Sequence, residues 1–496
     1  MKLEDIINNN AVISWDELKA DEKLVKQIQT KLKSLGLYPG GQWLDGNYGS
    51  RTENALKEFC AAFSLSNMSS KKLDKSFAQK LVTVKQLPFI FEQCRDQKLV
   101  LNKLSEIAGK WSELFRPPDT DNLAFLDRLI EYSPYEKEIE SYPDRLKKKP
   151  DGQIVISYGA TANLSNPNRT VTFSTYPKFG QLPQPAIDAQ GLNFLAQDIT
   201  EACICVGSFI EGEIKAHWLG KNALRKIEFL SASKIIPILN VVCQANAKFI
   251  NVDLDNCNIR GSAAQNGYKF YDLVEDVVTY AGKIGSSNSL AAMFKRFQTR
   301  PKLEEWVKRI TGNNDVEFQG YYGANSPPFF QQPELFNRTT GSKVLTAAPE
   351  VSGGRNRLST YDLTRFITML GWHHHIAPEA RLPDAQWHSL ESVVRAMGRD
   401  RARYIDVAIE TLGLENVIKS PVIISKLGLG DSGLTYVALT QFVDERQKTD
   451  KNPAKLRTLG MALRVQGTGL SFSDRDATMA AAVTEIIRRV VAEELA

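Results

Sequence analysis

Apolar residues recur along this chain with two different periods, and the change from one to the other divides it. Leu24, Ile28, Leu32 and Leu35 stand at helical spacing, and Gly36 ends that stretch ahead of Pro39-Gly40-Gly41, which predicts a helix followed by a glycine-rich loop. Asp45-Gly46-Asn47-Tyr48-Gly49-Ser50-Arg51-Thr52 comes next. Its Asp-Gly and Tyr-Gly pairs require tight turns, Thr52 is placed to cap a second helix, and Ala55, Leu56 and Phe59 supply that helix with a buried face. Between residues 87 and 145 helical patterns (Val100, Leu101, Leu104, Ile107; Leu123, Leu126, Leu129, Ile130) are broken at Pro117-Pro118 and Pro143, as expected of a helical connector. From Gly152 the period shortens to two. Strands are predicted over 154–158 and 170–173, and a hairpin over 202–210 and 213–218 about a Glu211-Gly212 turn. A mostly helical middle follows, then strands over 434–443 and 458–465. The last element is an amphipathic helix opening at Ser473-Asp474 and carrying Met479, Ala482, Val483, Ile486, Ile487 and Val490. Strands at both ends of a helical centre predict one antiparallel sheet on which both terminal elements pack.

Chemistry concentrates after the hairpin. Ser231-Ala232-Ser233-Lys234 heads a helix that is apolar nearly all round (Ile235, Ile236, Ile238, Leu239, Val241, Val242), so a hydroxyl and an amine three residues apart share one sheltered face. An amine so placed activates the serine if burial or a second cation keeps it partly neutral, and Lys426 is a candidate for that cation. Pro237 predicts a kink or tightening in the second turn. Ser286-Ser287-Asn288 lies on a polar loop that runs into the apolar stretch 290–294. Residues 422–425 read as an apolar strand ending in Lys426-Leu427-Gly428, with Gly428 and Gly430 letting another backbone approach.

These three motifs, in this order, resemble the S-x-x-K, S-x-N and K-T-G set of penicillin-binding proteins and serine β-lactamases. The resemblance implies a nucleophilic Ser231, Lys234 as its base, Ser286 relaying the proton to the leaving group, and Asn288 donating to a substrate amide carbonyl while bracing Lys234. It also implies an oxyanion hole from the backbone N–H groups of Ser231 and Leu429, beside Lys426 and Gly428. The chain departs from the pattern at Leu427, where the family carries Thr or Ser to hold a ligand carboxylate. It also lacks, at a fitting offset, the glutamate that activates deacylating water in the commonest β-lactamases; Glu334 has the wrong spacing and receives no role. Near the amino end, the D-G-x-[YF]-G-x-x-T turn between two helices resembles a small three-helix peptidoglycan-binding domain, which makes Asp45, Gly46, Tyr48, Gly49 and Thr52 its binding candidates.

Composition narrows this picture only a little. The 496 residues hold 62 basic against 57 acidic side chains, a net charge of +5 that does not point to nucleic acid and does not oppose an anionic wall polymer. Lys147-Lys148-Lys149-Pro150 reads as a solvated linker. Cys60, Cys94, Cys203, Cys205, Cys243 and Cys257 lack metal-ligand spacing and read as buried free thiols. Consecutive His373, His374 and His375 point in different directions and cannot share one ion, and His217 and His388 are isolated, so neither metal nor cofactor is expected. No apolar run reaches the roughly 18 residues of a membrane span. The amino end also lacks the basic and apolar regions of a secretory signal, so wall or periplasmic action would require a trimmed chain or export by a lysis, phage-like or contractile-injection route.

The expected architecture is an all-α three-helix peptidoglycan-binding domain (1–85), a helical connector (86–150) and an α/β β-lactamase/transpeptidase-like serine hydrolase domain (151–496), the last an antiparallel sheet with a helical subdomain. The expected function is a peptidoglycan-targeted serine acyl hydrolase of the DD-carboxypeptidase or endopeptidase kind. The alternatives are an inactive wall-binding component on the same fold, and a β-lactamase or esterase with another acyl substrate.

Overall fold

The computed structural model describes every residue except 64, 86–90, 92–93, 116–123, 166–167, 324–325, 350–352, 450 and 468. Its amino-terminal unit consists of α1 (Leu3–Asn9), α2 (Trp15–Ala20), α3 (Glu22–Ser34), α4 (Ser50–Ala62), α5 (Asn67–Ser70) and α6 (Lys75–Thr83). The two-residue strands β1 (Ile13–Ser14) and β2 (Lys72–Leu73) pair and tie its ends together. The longer helices α3, α4 and α6 enclose Leu24, Ile28, Leu32, Leu56, Phe59, Phe77 and Leu81. Gln29, fully buried on α3, organises the turn between α3 and α4: its amide donates to Asp45, the Asn47 carbonyl, Thr52 and Tyr38, and its Oε1 accepts from Gly46 N–H at 2.9 Å. Gly46 sits at φ 81°, and a Cβ there would stand 2.6 Å from the Glu22 carbonyl. The position therefore needs glycine.

The connector contains α7 (Gln97–Phe115), but the helix expected over Leu126, Leu129 and Ile130 does not form. The N–H groups of Phe125 and Leu126 are instead taken, at 3.0 Å each, by the Asp476 carboxylate from the far end of the chain, leaving one 3-10 turn at Ile130–Tyr132. Pro117, Pro118 and Leu123 lie outside the described residues.

A seven-stranded sheet forms the body: β3 (Val155–Ile156), β4 (Ser174–Thr175), β5 (Ile199–Ile210), β6 (Glu213–Lys221), β7 (Ile418–Gly430), β8 (Gly433–Asp444) and β9 (Ala454–Val465). The order is β7-β8-β9-β5-β6-β4, all antiparallel, with β3 alone parallel to the start of β9. The β5–β6 hairpin turns at Glu211 and Gly212, both at positive φ, as a two-residue turn between right-twisted strands requires. β7 runs on past Lys426 to Gly430 and forms the free edge beyond β8.

On one face lie α8 (Ile235–Lys248), α9 (Phe270–Thr279), α10 (Ser287–Lys295), α11 (Thr360–Gly371) and α12 (Trp387–Gly398). Every residue of α11 is buried, because it lies directly across β5, β8 and β9. The other face is covered by α13 (Tyr404–Thr411) and α14 (Phe472–Val491). α14 begins earlier than its Ser473-Asp474 pattern suggests. Ser471 is the cap, and Asp474 returns a bond to the Ser471 N–H at 3.0 Å, so that aspartate serves the third position of a capping box. Among the described residues, no helix is long and apolar enough to cross a membrane.

One buried carboxylate thus joins three segments, since Asp476 also accepts from Tyr404 Oη at 2.7 Å. Asp476→Ala leaves two backbone N–H groups and a buried hydroxyl unsatisfied. It should destabilise the chain by about 2–4 kcal/mol, read by denaturant unfolding.

Candidate active site

Residues Leu230–Lys234 form a 3-10 turn, and α8 starts only at Ile235. Three residues per turn eclipse positions i and i+3, so this geometry stacks Ser231 and Lys234 more directly than an α-helix would. The late start also places Pro237 in the first turn of α8, where its missing N–H needs no partner, in place of the kink expected further in. Leu230 is held at φ 54°, a strained conformation for a branched residue, directly before the serine.

Lys234 is almost wholly buried, and burial alone pulls its pKa down to about 7. Lys426, the candidate second cation, lies near enough that the Lys234 charge helps lower its own pKa. Lys234 Nζ donates to Ser287 Oγ at 2.9 Å, and Ser287 donates onward to the Val277 carbonyl at 3.0 Å. The Tyr322 ring faces the amine at 5.9 Å.

The polar loop therefore meets Lys234 one residue later than its motif suggests. Ser286 is exposed and spends its hydroxyl capping α10, accepting from Ser289 N–H at 3.2 Å, and Asn288 is exposed. Ser287, at the first position of α10, is the hydroxyl that turns inward. Asp276, buried on α9, holds the approach to it by accepting from the N–H groups of Lys283, Ile284 and Gly285 at 2.8–3.1 Å. In the sequence it is signalled only as half of the acidic pair Glu275-Asp276, between Val274 and Val277.

The third motif closes the site from the sheet edge. A Cβ on Gly428 would stand 2.7 Å from the Phe229 carbonyl, 2.8 Å from Ala232 N and 3.2 Å from Ser231 N, so strand and turn touch backbone to backbone. The Leu427 carbonyl accepts from Tyr280 Oη and, at 3.0 Å, from Lys426 Nζ, so it faces the free edge. Leu429, two residues on, presents its N–H to that same edge. Lys426 is buried with its amine 3.6 Å from the centre of the Tyr280 ring, and Asp400 nearby accepts from Ser425 Oγ at 2.8 Å. Burial pushes Lys426 down and Asp400 up, and each is drawn back by the other's charge. Leu427 is buried with Leu434 and Tyr436 on the face opposite Gly428. Neither Tyr280 nor Asp400 belongs to a motif, and both come from elements distant in sequence.

Other candidates lie elsewhere. His375 Nε2 bonds the Leu146 carbonyl at 2.7 Å, and the three consecutive histidines occupy the turn after α11. No group of three His, Cys, Asp or Glu among the described residues is placed to hold a metal ion. Glu334 pairs with Arg260 and Lys343 on a short strand. All six cysteines are buried free thiols. In the amino-terminal unit Asp45, Gly46 and Thr52 are engaged by Gln29, and Tyr48 Oη accepts from Trp15. Gly49 is exposed ahead of α4.

Residues 21–67 match the family model described as a putative peptidoglycan binding domain. No curated protein matches the chain. Among solved structures it is similar to the putative class A β-lactamase PenP from Rhodopseudomonas palustris, at 11% identity over 60% of this chain and 98% of that one, TM-score 0.38. It is similar also to the class A β-lactamase from Mycobacterium abscessus, at 12% identity, 60% and 98% coverage and TM-score 0.36. A β-lactamase from Xanthomonas campestris pv. campestris gives 13% identity, 59% and 91% coverage and TM-score 0.35. At these identities and scores the likeness is remote, and the chemistry has to be read from the residues themselves.

Gly428→Ala forces the edge strand away from the Ser231 turn. It should lower acylation at Ser231 about 10²-fold while the chain stays folded, measured by covalent labelling kinetics alongside thermal melting.

Proposed function

We propose that the chain is a serine acyl hydrolase acting on the stem peptides of peptidoglycan, as a DD-carboxypeptidase or endopeptidase, with its amino-terminal unit holding it to the wall. The observation that carries this reading is the buried Lys234 amine, brought near neutrality in the same turn as Ser231 and hydrogen-bonded to Ser287. Ser231 Oγ attacks the scissile carbonyl carbon while Lys234 Nζ takes its proton. The oxyanion that forms accepts from the N–H groups of Ser231 and Leu429. As the carbonyl re-forms, the C–N bond breaks and the leaving amine takes a proton through Ser287, the hydroxyl that Lys234 contacts. Water then attacks the ester, Lys234 again accepts a proton, and Ser231 is released. Lys426 and Tyr280 hold the strand that offers Leu429 N–H.

Among the described residues, no carboxylate hydrogen-bonds Lys234 or Ser287, which supports a Ser–Lys peptidase over an enzyme whose deacylation depends on glutamate. The inactive wall-binding alternative draws on Leu427, whose buried side chain offers nothing to a ligand carboxylate. Mass spectrometry of muropeptides after incubation with the protein decides between them. Shortened stem peptides or cleaved cross-links support hydrolysis; an unchanged profile, with no acyl-serine trapped at Ser231, supports the binding component.

Ser231→Ala should abolish turnover with folding and wall binding intact, and more than a few per cent of residual activity would overturn the nucleophile. The neutral amine is the working form of Lys234, so the acylation rate should rise as pH passes upward through about 7 and be lost below it, read from a pH–rate profile. Ser287→Ala should cost about 10²–10⁴ in turnover. Ser286→Ala, which removes only a helix cap, should instead cost about 1 kcal/mol of stability by denaturant unfolding, and a reversal of these two effects would restore the original motif register.

A further inference from the structure

Between the amino-terminal unit and the body lies a cavity of about 230 Å³. The loop 36–41 supplies one wall and α7 a second, while residues 128–135 and the end of α13 supply the rest. The walls are in register. A Cβ on Gly36 would be 3.4 Å from the Glu410 carbonyl, and Asn416 donates to the Ser34 carbonyl. The cavity is separate from the Ser231 site, because Glu415 precedes the start of β7 at Ile418 and Gly428 lies roughly 30 Å further along that strand.

Its lining is unfinished in a specific way. Tyr135 is 7% exposed, yet its hydroxyl has no hydrogen-bond partner among the described residues. A buried donor left so costs stability unless something fills the space. Arg128 and Glu410 pair at 2.6 Å, and Asp406 is taken by Arg403 at 2.7 Å. Lys33, Lys103, Glu106 and Glu415 also line the space and have no ion pair among the described residues. Burial and the neighbouring Glu410 raise the Glu415 carboxyl to about 8, against the opposing charges of Lys33 and Arg128.

We propose that this cavity is a second binding site, shared by the two parts of the chain, for a short zwitterionic peptide, namely a segment of peptidoglycan stem peptide. Lys33 and Lys103 meet its carboxylate, Glu415 and Glu106 meet its free amine, and Tyr135 donates to a peptide carbonyl. A neutral sugar offers neither charge, so the lining selects peptide over glycan. Occupancy would bridge the wall-binding unit to the body and hold one stem peptide while another reaches Ser231. The ligand class rests on the wall-peptide reading above.

The test uses the full chain carrying Ser231→Ala, so that no turnover occurs. Binding of a synthetic stem tetrapeptide with a free side-chain amine, and of the neutral disaccharide of two N-acetylglucosamines, is measured by calorimetry. The tetrapeptide should bind, and Tyr135→Phe and Glu415→Gln added to that background should each weaken it, roughly three- to tenfold for the tyrosine. Tyr135→Phe removes a hydroxyl without a hydrogen-bond partner among the described residues, so its melting temperature should not fall, which separates lost binding from lost folding. Unchanged peptide affinity in both variants, absence of peptide binding, or disaccharide binding with the same sensitivity would each overturn the proposal. Failure of the hydrolase reading shows independently, as absence of labelling at Ser231 in the unsubstituted chain.

Discussion

The site depends on one contact between two backbones. Gly428 lies so close to the Phe229–Ala232 turn that a single methyl group would not fit, and this approach sets the strand edge against the backbone of Ser231. That edge is open because β7 has no neighbouring strand on that side among the described residues, an arrangement that would otherwise invite edge pairing. The turn supplies the serine through a 3-10 start and a left-handed Leu230, a conformation retained because the strand against it leaves no alternative.

Burial does the electrostatic work at the same place. Lys234 has a hydroxyl and an aromatic face beside it and no carboxylate in hydrogen-bond reach among the described residues, so its charged form is penalised and not compensated. Lys426 is treated differently. It is buried too, but Asp400 lies within its field and the Tyr280 ring caps its amine. Two lysines in one site are thereby set apart, one held near neutrality by burial alone and the other buried against a carboxylate and an aromatic ring.

The same separation of roles runs through the amino-terminal unit. The Asp-Gly-x-Tyr-Gly-x-x-Thr turn is built around Gln29, which spends Asp45, Gly46 and Thr52 on architecture. Asp45 and Gly49 nonetheless stay exposed on the surface that this turn shapes.

Periodicity and turn chemistry were enough to determine the β5–β6 hairpin, the apolar α8 and the long α14, because each depends on neighbours within a few residues. The register inside those motifs was not legible. Whether Ser286 or Ser287 faces Lys234 depends on which serine caps α10, and that is settled by where α9 and Asp276 hold the loop. The helix suggested by Leu126, Leu129 and Ile130 gives way because Asp476, 350 residues away, takes the backbone donors it would need. Tyr280, Asp400 and Gln29 carry no motif and act through partners that only the packed chain brings near. Local pattern selects which elements form; the pairing of buried donors, acceptors and charges across distant segments decides which side chain in each element reaches the site.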